Sequence, residues 1–127
     1  MLKQSDLNQF HGDLERWRHQ LCRNLLYTPG IKYLMEAGGA YWLLDAIASY
    51  QHSSCINNNE ELRYLQFWKL KVDIEACAAV LELTDGNNKV PIISQQIPYT
   101  DFPLEEVSIW VGCNGNGTRT AYLPSEH

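Results

Sequence analysis

The sequence predicts an α+β fold, with two to three N-terminal helices packed on one face of a four- to five-stranded antiparallel meander. Three observations predict it. Through the first 50 residues, apolar side chains recur every three or four positions, the helical period. From Leu65 onward they alternate, the strand period. Clusters of Gly, Asn, Asp and Pro then cut the alternating part into short runs, as a meander requires. The 127 residues suffice for one core and are too few for two ordinary ones. The chain therefore reads as a single domain, mainly helical over 1–55 and mainly strand over 64–123.

Leu14, Trp17, Leu21 and Leu25 are spaced as one face of an amphipathic helix, with Asp13 as its cap. The segment QFHGDLERW also fits an extended start. Thr28-Pro29 is a helix beginning: a hydroxyl caps, and a proline follows where no N–H is needed. Ile31, Leu34 and Met35 give that helix its apolar face, and Gly38-Gly39 ends it. Ala40, Leu43, Leu44 and Ile47 form the stripe of a further helix, widened by Tyr41 and Trp42. SSCINNNEE reads as a polar, mobile loop. The expected strands are YLQFWKLKV, ACAAVLEL, VPIISQQI, EVSIWV and a short RTAYL. In the first, Gln66, Trp68, Leu70 and Val72 share one side. Pro91 marks an edge or a bulge, because it cannot donate to a ladder. TDGNNK and GCNGNGT are turns.

The net charge is −5. Residues 1–35 hold five bases and three acids, and the remainder holds five bases and twelve acids. An acidic body disfavours direct nucleic-acid binding, which needs a cationic surface. No apolar run is long enough for a membrane span, and the N-terminal residues have no signal-peptide core. A cytoplasmic location is the expectation. Cysteines 22, 55, 77 and 113 include no C-x-x-C pair, so neither a metal site nor a disulfide framework is expected. Cys77 reads as a small buried hydrophobe. No cofactor is expected.

Asp45, Ser49 and His52 fall within about 60° on the helical wheel, a polar stripe that invites a hydrolase reading. A serine nucleophile needs a histidine in direct contact and an oxyanion hole. No G-x-S-x-G turn is present. We read the stripe as the polar edge of a structural helix, with Asp45 as a buried acceptor that takes a hydrogen bond from another element and orients it. The glycines at 112, 115 and 117 suit a hairpin better than a phosphate loop, which would open a helix. Arg119, just after them, is placed to reach a ligand anion. YTDFP contributes Asp101 and Phe102 in a rigid corner, read as a turn that caps a short helical segment at 103–106. In LPSEH, Leu123-Pro124 is apolar enough to tie the tail down.

Several phrases occur together: Phe10-x-Gly12 with Trp17-Arg18-His19, LLYTPGIKYL, GGAYWLLDAIAS, FWKLKV, YTDFPL and LPSEH. In this order the chain resembles a small bacterial family of unknown function, found in cyanobacteria, on plasmids and in phages. The resemblance covers nearly the whole chain and carries no activity with it. It implies a compact protein of mobile elements, a setting in which small proteins block host defence.

Three functions are expected in turn. The first is a non-catalytic binding protein that docks on a protein partner, such as a bacterial defence complex in the manner of an anti-CRISPR. Asp101, Glu105 and Glu106 would then compete for a basic groove. The second is a nucleotide-signal binder or sponge, with stacking and phosphate contacts from Trp17, Arg18, His19, Tyr41 and Trp42. The third is a small hydrolase using Asp45, Ser49 and His52. Four Trp and seven Tyr also favour a homo-oligomer, because aromatic residues are enriched at interfaces.

Overall fold

The computed structural model describes residues 2–7, 16–20, 22–86, 90–114 and 117–127. Its centre is a seven-stranded mixed sheet. In chain order the strands are β1 (Trp17–Arg18), β2 (Leu25–Tyr27), β3 (Leu65–Asp73), β4 (Ala78–Thr84), β5 (Ile93–Ile97), β6 (Glu106–Cys113) and β7 (Arg119–Tyr122). Across the sheet the order is β1-β2-β7-β6-β3-β4-β5. Every pairing is antiparallel except β2 with β7, which is parallel, Leu25 lying beside Arg119 and Tyr27 beside Ala121. This overturns the expected four- to five-stranded meander beneath N-terminal helices. The helices are short: α1 (Gln4–Leu7), α2 (Pro29–Gly38), α3 (Tyr41–Ser49), α4 (Ser54–Asn57) and α5 (Glu60–Tyr64), with a 3-10 turn at Pro124–Glu126.

The difference starts at the N-terminal segment. Trp17 and Leu25 lie in strands, not on the helix their spacing suggests. Tertiary pairing decides here: β2 is three residues long and is held between β1 and β7. Asp13, Leu14 and Leu21 lie outside the described residues. SSCINNNEE is also corrected, because it contains α4 and the start of α5. Ser53 caps α4, and Asn59 caps α5 by accepting from Glu61 N and Leu62 N. One apolar anchor in each, Ile56 and Leu62, is fully buried.

Other expectations hold. Thr28 Oγ1 accepts from Ile31 N at 3.3 Å, with Pro29 in the first turn of α2. Gly39 is left-handed (φ 62), and the Ala40 amide closes onto Met35 O. Leu43, Leu44 and Ile47 of α3 are buried. Strand β3 buries Gln66, Trp68, Leu70 and Val72, and β4 and β6 bury their matching positions. These side chains form the face under the helices, as the Tyr50–Trp68 ring contact at 5.5 Å shows. Val72 is followed by a turn in which Cys77 has φ 54 and is only half-buried, not the core position expected of it.

The opposite face has no helix across it among the described residues. Phe67, Trp110, Tyr122 and His127 form a half-open aromatic row there. The YTDFP corner forms no helix. Thr100 Oγ1 accepts from Phe102 N, and Phe102 is buried against Gly38. The tail is fixed: Glu126 accepts from the Thr28 hydroxyl at 2.7 Å and from the Leu123 amide at 2.9 Å.

Candidate functional site

A cleft of about 640 Å³, lined mostly by polar residues, opens where the segment after α3, α4, α5 and the start of β7 meet. Its floor is Gln51, backed by the buried amide of Gln66. Gln51 and Gln66 are almost fully buried and bond reciprocally, each Nε2 donating to the other's Oε1 at 3.0 Å. Gln66 Oε1 also accepts from Trp68 Nε1 at 2.8 Å. Gln51 Nε2 donates to Ile47 O as well. Burial makes such a network stabilising only when each polar group is satisfied.

Arg119 rests on this floor. Its Nη1 donates to Gln51 O and to Gln51 Oε1, both at 3.1 Å, and its Nη2 donates to Asn57 Oδ1 at 3.2 Å. All three acceptors are neutral. Burial pulls the guanidinium below the usual arginine range, and the nearby Arg63 charge adds to this, against opposing contributions from Cys113 and Cys22. Arg63 and Glu60 also line the cleft, with Tyr64 at its mouth, 79% exposed. Among the described residues neither arginine is in an ion pair. The arrangement suits an anion: two guanidinium groups face one carboxylate and neutral amides.

Beside the cleft lies the partner of Asp45. His19 Nε2 is 2.7 Å from Asp45 Oδ1. His19 Nδ1 accepts from the Cys22 amide at 2.9 Å, so Nε2 carries the proton and donates to the carboxylate. The histidine is the buried member, its side chain 8% exposed against 62% for Asp45. Asp45 does hold a neighbouring element, but from the surface and not from the buried position expected of it. Ser49 Oγ donates to Ala46 O, and His52 Nε2 is 3.9 Å from Cys22 Sγ. Asp45, Ser49 and His52 thus each bond elsewhere and assemble no triad.

The remaining candidates are scattered. Trp17 is stacked on Tyr27 and lies under Lys32 Nζ at 4.2 Å. Arg18 and Tyr41 are exposed, and Trp42 packs on the core. Asp101 and Glu105 are exposed, and Glu106 pairs with Lys69 at 3.2 Å. Of the expected site residues, Arg119 and His52 line the cleft, His52 without Asp45 or Ser49. Sequence reasoning missed Gln51, Arg63 and Tyr64. Gln66 carried a visible signal, a polar residue at a core position of an alternating strand. Among the described residues no three His, Cys, Asp or Glu side chains gather to hold a metal, and no helix is long and apolar enough to cross a membrane.

The match to one family runs over residues 1–127. The chain belongs to a family of unknown function, DUF6876. No curated protein and no solved structure matches it.

Proposed function

We propose that the protein is a non-catalytic binding protein whose ligand is a small phosphate-bearing molecule of the nucleotide class, held in the Arg63–Arg119 cleft. The observation that carries this is the state of Arg119: half-buried, near a second guanidinium, and held by neutral acceptors alone. A bound phosphate would offset the burial and the like-charge repulsion together. Tyr64 supplies an exposed ring at the mouth for a base to stack on. The plasmid and phage setting implied by the resemblance fits this role, since a mobile element gains by sequestering a host nucleotide signal. Docking on a defence complex draws less support, because one of its three expected acids, Glu106, is already paired with Lys69.

The test is thermal unfolding and calorimetry with inorganic phosphate, mononucleotides and cyclic dinucleotides. A ligand a hundredfold above its Kd adds about 2.7 kcal/mol of stability. Arg63→Gln, which removes no bond of the buried floor, should cost tenfold or more in affinity and leave the fold unchanged. Absence of any shift across the panel would end the proposal.

A further inference from the structure

Strand β5 is an edge of the sheet, with β4 as its one strand neighbour. Its outer side presents backbone N–H and C=O groups without a ladder partner among the described residues. Such edges are ordinarily guarded by charged side chains. Residues 90–100, VPIISQQIPYT, carry none. Val90 and Tyr99, near the two ends of this segment, are 76% and 73% exposed. The opposite edge, β1, is two residues long and offers little to pair with.

Symmetry tests whether a second copy fits. A twofold axis perpendicular to the sheet keeps its two faces distinct, so residues opposed across a new seam must point to the same face. Ile93, Gln95 and Ile97 share the helix-covered face with Leu83, Leu81 and Ala79. Ser94 and Gln96 share the other face with Glu82 and Val80. A seam centred on Gln95 sets Ile93 against Ile97 of the second copy, and Ser94 against Gln96. It also brings the exposed Tyr99 ring to Pro91. Centring on Ser94 or on Gln96 instead opposes isoleucine to glutamine. The segment is therefore self-complementary in one register, and that register matches apolar with apolar on the covered face. Pro91 and Pro98 have no N–H, so they bound the pairing at both ends.

We propose that β5 is the seam of a homodimer, in which two copies pair antiparallel about Gln95 and continue one sheet into the other. The mode is strand addition, with backbone bonds supplying affinity and the isoleucine pairs fixing register.

Sedimentation of the intact chain tests this, because the protomer mass is 14.6 kDa. The wild type should sediment at twice that mass at micromolar concentration. Ser94 and Gln96 are exposed, so their replacement leaves the protomer core intact. S94K/Q96K sets two ammonium groups against each other across the seam and should yield a folded monomer, checked by circular dichroism. S94K/Q96E sets opposite charges there and should restore the dimer. A monomeric wild type, or a dimer that ignores S94K/Q96K, overturns the seam. A monomeric S94K/Q96E overturns the register.

Discussion

The two faces of the sheet obey the same alternation and treat polar groups in opposite ways. Under the helices, Gln66 is fully buried with an apolar neighbour two residues on, and its amide is locked to Gln51 and Trp68. On the open face, Lys69 and Lys71 pair with Glu106 and Glu82, and both ammonium groups stay within reach of solvent. Polar residues thus carry different energies according to the face they occupy, although the strand pattern that places them is one pattern. A buried polar network is costly to break in part, whereas an exposed ion pair contributes little.

The largest expected effect breaks the covered face. Gln66→Leu leaves the Trp68 indole N–H and the Gln51 amide short of partners, and should cost about 3 kcal/mol in urea unfolding. Next comes a steric test of the open face. Gly86 has φ 87, and a Cβ there would lie 2.5 Å from the Phe67 ring. Gly86→Ala should cost about 1–2 kcal/mol and displace Phe67, read as a change in Trp110 fluorescence.

Alkaline pH sharpens the comparison further. Burial holds the Tyr122 hydroxyl above its ordinary value of 10.0. The unfolded chain therefore releases this proton first, so the contribution is whole below pH 10 and is lost as pH rises beyond it. Unfolding midpoints measured on either side of pH 10 should fall in the wild type and fall less in Tyr122→Phe. The smallest effect is expected from Lys71→Ala. The Lys71 end of its pair with Glu82 is exposed and screened, and stability should stay within the error of the unfolding curve at any salt concentration.

What was legible in the sequence is what local chemistry decides. Thr28-Pro29 and Gly39 announce the two ends of α2. The apolar stripe of α3 and the alternation of β3 stand out, with Gln66 visible as the odd residue in it. What was not legible depends on partners far along the chain. Leu25-Leu26-Tyr27 fits a helical spacing as well as a strand, and Arg119 to Ala121 decide between them. Ile56 and Leu62 stand alone in polar surroundings, too sparse to show a period, yet each anchors a short helix. The His19–Asp45 pair spans 26 residues, and nothing near either residue points to the other. Arg119 was visible as a candidate, but Arg63 and the buried Gln51 gather around it only once the sheet forms.

The parallel pairing of β2 with β7 also sets an order of assembly. Strand β2 reaches the rest of the sheet only through β7, about 90 residues later in the chain, so loop closure has to precede its docking. The β3, β4 and β6 antiparallel core can form without either strand. On a ribosome, the β1–β2 pair would therefore wait apart from the sheet until the strand beginning at Arg119 has emerged, and the arginine cleft would take shape after the β3, β4 and β6 core.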